Sequence, residues 1–548
     1  MALRVVLVTV LCVMVAASVK ADDDLLRSEL YKIGAEDSDT RKTAVATLLL
    51  KRDSRIAEFL RHFQDGTLYV LNEEVYLCPN LQRGADGKRT AALLDPLTGE
   101  PVTTAGVQLV VSESELRNIS PARRERRTVR DAIVALELYS PNAALRRAAA
   151  KSCGDLGLPM FLGPLKDLAK TETVTTIREL ARESELLIRF RADDAKDRLE
   201  AARELGNLRS SRALPLLSAH LAKIADQHGE EQIIYEGAIA EIESYQSWVR
   251  GFDHLFGGIS LGSILILMAL GLSITFGLMG VINMAHGELM MIGAYATYEV
   301  QNIFVSHLPA AAFDWYYIVA LPAAFVCAAF AGFLIEILVV RHLYGRPLET
   351  LLATWGVGLV LIQLVRLIYG DNIGVNSPTW LRGGAEVVQD FVLPYNRCFV
   401  ILLCGLCVFL TYTLLRRSTL GLMVRATTQN RQTASSLGVN TRRVDSCTFA
   451  FGAGLAGIAG CALTLIGGVT PDMGQNYIVD SFLVVVTGGV GELLGVLTAG
   501  LGMGLLTKTL EPFVESVWAK VLILACVILF IQWRPAGLFP PKGRLADV

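Results

Sequence analysis

The sequence predicts a mostly α protein. Its larger part is a polytopic helical membrane domain with broken, re-entrant helices, preceded by an exported α-helical domain of HEAT-like repeats with a small β insert. Three observations predict this. Residues 22–243 are rich in Arg, Lys, Asp and Glu, whereas long apolar runs dominate after Gly257. Within that apolar part Asn283, His286 and Glu288 fall inside six positions, bracketed by Gly277, Gly280 and Gly287. Hydrocarbon cannot satisfy such groups, so they must face protein, a cavity or the aqueous edge. Finally, the apolar stretch 480–507 is interrupted by Gly488-Gly489-Val490-Gly491-Glu492.

The formal net charge of −2 averages two unlike halves and says nothing of partners. No basic tract with interleaved aromatics occurs, which argues against a nucleic-acid partner. Most of the ten cysteines lie in or beside apolar segments, where a small buried hydrophobe is the expected role. Cys404 and Cys407 form a C-x-x-C only by spelling; with no second pair or His nearby, no metal is expected. Cys78 and Cys153 remain in the polar half, and spacing alone leaves their pairing open.

Residues 1–21 read as a secretory signal: Arg4, the apolar run Val5 to Ala17, then the small-residue site Val19-Lys20-Ala21. Export would place residues 22–243 in the periplasm. Stretches beginning at Thr40, Leu145 and Arg198 each carry alanines in one helix, a break, and a Leu-rich second helix. That is the style of stacked helical repeats sharing one core. Thr67 to Val111 reads as an insert of short strands, with Leu68-Tyr69-Val70, Val75-Tyr76-Leu77 and a turn at Asp95 to Gly99. No catalytic constellation is expected here: His62, His220 and His228 stand apart, and Arg123 to Arg127 reads as a solvated helix face.

Residues 244–257 read as an interfacial linker helix, because Trp248, Phe252, Leu255 and Phe256 recur at helical spacing. Residues 258–548 then hold apolar segments near 259–281, 287–305, 317–340, 348–369, 398–415, 447–467, 480–507 and 518–532. Arginines at 341, 346, 416, 417, 425, 431, 442, 443 and 534 mark inner loops and an inner C-terminus. Counting backwards, the first span enters from outside, in agreement with export of the N-terminal domain. The parity closes only if 480–507 is two half-spanning pieces meeting at the glycines. Broken helices place free backbone groups at the midplane, where a polar solute binds. The expected pathway residues are therefore Asn283, His286, Gly287, Glu288, Gly488, Gly489 and Gly491, with His286 and Glu288 alternatively paired to each other or to a neighbouring subunit.

The inner loop 416–445 is too long for an idle connection. Its polar, helical composition suits a segment docked on a soluble motor. No G-x-x-x-x-G-K-[ST] occurs in the chain, so ATP would be hydrolysed by another polypeptide, and no cofactor is expected here.

Val281 to Glu288, the loop residues Arg425, Ala426, Asn430, Ala434, Gly438 and Val439, and Gly488-Gly489-Val490-Gly491 together resemble the branched-chain amino acid class of ABC transporter permeases. The resemblance covers roughly 256–539 and implies that Arg425 to Asn440 is the ATPase-coupling segment. It also implies a second permease subunit, two cytoplasmic ABC ATPases, a periplasmic solute-binding protein and a bacterial inner-membrane location. Family members often carry Ser where this chain has Glu492. Gly66 to Val70, Asp95 to Gly99 and Leu145 to Ala150 resemble the urea-type permeases of this family, which carry an added exported domain. The implied function is import of urea. The alternatives are import of branched-chain or other amino acids, a passive channel, and a membrane-anchored interaction protein.

Overall fold

The computed structural model describes residues 26–35, 37–72, 74–79, 81–83, 89–104, 107–224, 229–388 and 391–540. The leader 1–21, Cys12 and His228 lie outside them. The chain divides into two compact units, at 246/247.

The first unit is built of helix pairs. Ser38–Leu50 is followed by Ser54–Asp65, Ala143–Leu156 by Leu162–Thr171, and Ala195–Asn207 by Leu214–Ile224. Asp37, Asn142 and Asp194 cap the leading helices and Asp53 the second helix of the first pair, each side chain accepting an N–H of the first turn. The alanines mark the packed faces: Ala149 and Ala150 join Cys153, Phe161 and Leu165 in one core. Ala201 and Ala202 join Leu205, Leu217 and Tyr235 in the next. Small side chains let consecutive helices approach, so each pair completes its core against its neighbour.

The strand insert runs further than the sequence reading placed it. Leu68–Leu71 is the centre of an antiparallel sheet between Glu74–Leu77 and Arg117–Ile119, with Leu68 opposite both Leu77 and Ile119. The last strand therefore ends at Ile119, not near Val111. The Asp95 turn is as expected, Asp95 Oδ1 accepting from the N–H groups of Leu97 (2.9 Å) and Thr98 (3.0 Å). Cys78 and Cys153 are both free thiols, buried in separate cores. Arg123 to Arg127 is not wholly solvated: the arginines are exposed, but Glu125 is buried and accepts from Arg41 at 3.0 Å.

The expected linker helix 244–257 is not a separate element. It lies inside one helix, Glu230–Met279. Gly258 and Gly262, which punctuate the sequence there, are packing positions; a Cβ on Gly258 would sit 2.9 Å from Leu505 Cα.

The second unit is a helical bundle. After Glu230–Met279 come His286–His307, Tyr316–Leu338, Pro347–Tyr369, Tyr395–Arg417, Thr441–Leu463, Met473–Gly488, Leu493–Leu510 and Ser516–Trp533. Six helices among the described residues are long and apolar enough to cross a membrane. Met473–Gly488 and Leu493–Leu510 replace the single span that 480–507 would have made, but Leu493–Leu510 is itself one of the six and not the half-spanning piece expected. The hairpin Gly384–Val388 with Phe391–Pro394 was not expected. Helices Tyr316–Leu338 and Thr441–Leu463 pack through small residues: a Cβ on Gly332 would meet Ala453 Cβ at 2.3 Å, and one on Gly457 would meet Ala324 O at 2.4 Å. Without a hydrophobic force between helices in lipid, such close backbone approach is what holds a bundle.

Candidate functional site

Both chain breaks expected from the glycines are present. The first helix ends at Met279. Gly280 takes φ +66°, in the left-handed region that favours glycine, and the chain is irregular to Ala285. Helix His286–His307 then begins, with Glu288 in its first turn, where a negative charge complements the helix dipole. The second break follows Gly488. Gly489 has φ +107° and Gly491 φ +83°, and the next helix starts at Leu493. The carbonyls freed at this helix end are taken by the C-terminal segment: Leu538 N–H donates to Thr487 O (2.8 Å) and Phe539 N–H to Gly488 O (3.1 Å).

The two breaks touch. A Cβ on Gly277 would lie 2.3 Å from Gly491 Cα, and one on Gly287 would lie 2.5 Å from Gly474 O. Gly277, Gly287, Gly474 and Gly491 are thus contact points of the two broken elements.

Asn283 and His286 are fully buried and Glu288 nearly so. Asn283 Oδ1 accepts from Ala285 N–H at 3.1 Å, turning the chain into the helix. His286 Nε2 lies 3.1 Å from Met268 O, so the ring donates through that nitrogen. His286 and Glu288 do not pair with each other. The Glu288 carboxyl instead packs on Gly358, where a Cβ would stand 3.0 Å from its carbon. One turn earlier, Thr354 Oγ1 accepts from Met284 N–H at 3.0 Å. Asn283 Nδ2, His286 Nδ1 and Glu288 Oε2 have no hydrogen-bond partner among the described residues. Buried polar atoms are nearly always paired, so three orphans around one helix break mark a polar locus inside an apolar bundle. Glu492 is only half-buried, beside the second turn.

The inner loop forms two helices, Thr419–Gln429 and Arg431–Ser436. Asn430 lies between them and caps the second, its Oδ1 accepting from Thr433 N–H at 2.9 Å. Ala434 is buried, Gly438 takes φ +87°, and Val439 N–H donates back to Ala434 O at 3.1 Å. Arg425 is exposed and its guanidinium donates to Leu415 O; Ala426 is half-buried on the same helix. Leu437 projects with 80% of its surface exposed.

A second charged cluster was not legible. Glu336, buried to 1% side-chain exposure, pairs with Arg341 and accepts from Ser446 Oγ at 2.6 Å. Beside it Arg431 pairs with Asp445 and stands 5.0 Å from the centre of the Tyr344 ring. The contacts of Arg431 tie the loop helix Arg431–Ser436 to helix Thr441–Leu463 and to the turn at Tyr344. Among the described residues no cluster of His, Cys, Asp and Glu is arranged to hold a metal ion.

A multi-pass bundle with paired helix breaks and an ordered inner loop is the architecture of a membrane permease. The chain belongs to the family described as the branched-chain amino acid transport system permease component, matched over residues 254–531, just over half of its length. That is a family of transport subunits, not of enzymes. A PBS lyase HEAT-like repeat matches residues 197–223. The chain is similar to the LivH permease protein of the high-affinity branched-chain amino acid transport system of Salmonella typhimurium, 29% identical over 297 residues, 52% of this chain and 94% of the relative. It is 27% identical over 292 residues to BraD of Pseudomonas aeruginosa, covering 52% of this chain and 94% of the relative. It is 28% identical over 306 residues to LivM of Escherichia coli, 51% of this chain and 69% of the relative. No solved structure matches.

Proposed function

We propose that this chain is a membrane-spanning permease subunit of an ATP-driven importer for urea. The observation that carries the importer reading is the ordered pair of inner helices at Thr419–Ser436, held to the bundle by Arg431 and presenting Leu437 outward. Leu422, Met423 and Leu437 are all exposed on this charged loop, and several apolar side chains left exposed together suit a docking contact. The partners are a second permease subunit, two cytoplasmic ATPases and a periplasmic binding protein, in a bacterial inner membrane with residues 22–243 outside. ATP closure of the motors is felt at Arg425, Ala426, Asn430, Ala434, Gly438 and Val439 and reorients the helix breaks. Asn283 Nδ2, which has no partner among the described residues, offers its N–H groups to a neutral polar solute beside the Gly488 to Gly491 turn. Matching them matters, since an unmatched buried polar group costs about 2–7 kcal/mol.

The urea reading rests on the first unit. Half of this chain covers 94% of the LivH-type relatives, and the family match begins at residue 254, beyond that unit. The second reading, import of branched-chain amino acids, is favoured by the names those relatives carry.

Affinity purification of the tagged chain from the native membrane tests the importer. Recovery of nucleotide-hydrolysing subunits whose activity rises with loaded binding protein is expected. A chain that purifies without any ATPase, and moves solute down its gradient, would be a passive channel instead.

A further inference from the structure

The second unit carries a half-open cavity of about 400 Å³ whose lining does not include Asn283. Its apolar wall includes Ile264 and Leu265 of the first helix. Around it stand Arg397, Asp480, Lys508, Glu511 and Lys520. Lys508 and Glu511 pair at 2.5 Å and neutralise each other. The Arg397 guanidinium makes no ion pair or side-chain hydrogen bond among the described residues; its Nη1 lies 3.4 Å from where a Cβ on Gly257 would stand. Asp480 has no direct partner either, Lys520 being the charge that acts on it. Arg397 and Asp480 are half-buried, and unpaired charges lining a cavity in a membrane bundle mark a solute or ion path.

The cavity lies at the end of the bundle opposite the arginine loop. Arg397 opens a helix whose other end carries Arg416 and Arg417, about 30 Å away at 1.5 Å per residue. Positive charge marks the inner side, so the cavity faces out. Asp480 lies on the broken helix Met473–Gly488, about 12 Å before the glycine turn. The charged lining thus leads along that helix toward the second break.

We propose that this cavity is the outward-facing receiving site for the transported solute, a compact molecule with an acceptor oxygen flanked by N–H groups. Arg397 and Lys520 donate to the oxygen, and Asp480 accepts from the N–H groups. Urea and an α-amino acid share this chemistry. The proposal rests on the importer reading above.

The test uses the complete transporter, this chain with its partner subunits, in sealed vesicles supplied with loaded binding protein. Labelled urea and labelled leucine are the probes, in separate arms. Arg397→Gln and Asp480→Asn each lower uptake of the transported probe about tenfold or more, the loss expected when a hydrogen bond to a charged group is removed. Arg397→Lys with Asp480→Glu restores most of the uptake. The arm that responds names the solute. Uptake within about twofold of the unsubstituted complex in both variants overturns the cavity assignment and leaves the importer reading standing. An unsubstituted complex that moves neither probe with ATP overturns both. If a variant fails to assemble, maleimide labelling of Asn476→Cys, read at that position by mass spectrometry, decides. Protection by either probe supports the site, and equal labelling with and without both overturns it.

Discussion

Arg341 holds the carboxylate of Glu336 at 3.0 Å, and the same guanidinium nitrogen donates to Ser446 Oγ at 2.9 Å. The pair is asymmetric: the Glu336 side chain is 1% exposed, that of Arg341 32%. Removing Arg341 therefore leaves a buried carboxylate, whereas removing the Glu336 charge leaves a cation that regains water. Arg341→Ala should destabilise the purified protein by about 3–5 kcal/mol, and Glu336→Gln by about 1–3 kcal/mol. Thermal unfolding in one detergent checks the order. Equal midpoints for the two variants would mean that the carboxylate is not as enclosed as its surroundings indicate.

The contact of the two breaks makes a steric prediction. Gly277→Ala pushes a methyl against the Gly491 backbone, and Gly491→Ala forces a side chain into the left-handed region at φ +83°. Each should cost about 1–3 kcal/mol and depress transport. Gly356→Ala is the control, because a Cβ there meets nothing within 4 Å. It should be neutral, or stabilising by up to about 1 kcal/mol as in any helix interior. Expression level and unfolding midpoint of the three variants are the readouts, and a Gly277→Ala protein as stable as Gly356→Ala would deny the close approach.

In the first unit Glu172 accepts from Arg146 Nε at 2.6 Å and from the N–H groups of Thr173 and Val174 at 3.0 and 3.1 Å. The Arg146 hydrogen bond holds its carboxyl below the ordinary value of 4.5. A depressed folded value means that the stabilisation is complete above the unfolded value and is lost as pH falls through the folded one. Hydrogen exchange over the first turns of Thr175–Phe190 should therefore be slower in the parent than in Glu172→Gln at neutral pH. The difference should close as the pH drops below the ordinary carboxylate range. A difference that grew on acidification would contradict the assignment.

Leu437 bears on coupling. Since it is 80% exposed, Leu437→Asp should fold and insert normally yet lose most ATP-driven uptake. Asn430→Ala removes a helix cap, at a cost of about 1 kcal/mol, and should act in the same direction more weakly. Parallel measurement of membrane abundance and uptake separates the two effects, and unchanged uptake in Leu437→Asp would place the docking contact elsewhere.

Much of this architecture was legible because its signals are local. Gly280 and the Gly488 to Gly491 turn carry positive φ, which their residue type announces, and Asn283, His286 and Glu288 are conspicuous among apolar neighbours. Residues 244–257 are helical, as the spacing of Trp248, Phe252, Leu255 and Phe256 indicated, but spacing within the stretch could not show that the helix runs on unbroken from Glu230 to Met279. The Glu336–Ser446 bond joins positions 110 residues apart, and no spacing rule reaches that far. Asp480 and Arg397 escaped for the same reason: each is a lone charge in its own segment, and only the packing puts them around one cavity.

The most direct test of the central claim is uptake of labelled urea at low concentration, in cells with and without this chain, with leucine as competitor. The account predicts an energy-dependent uptake that disappears with the chain and that leucine does not inhibit. Unchanged urea uptake, with leucine uptake lost instead, would contradict the urea reading and make the chain an amino acid permease.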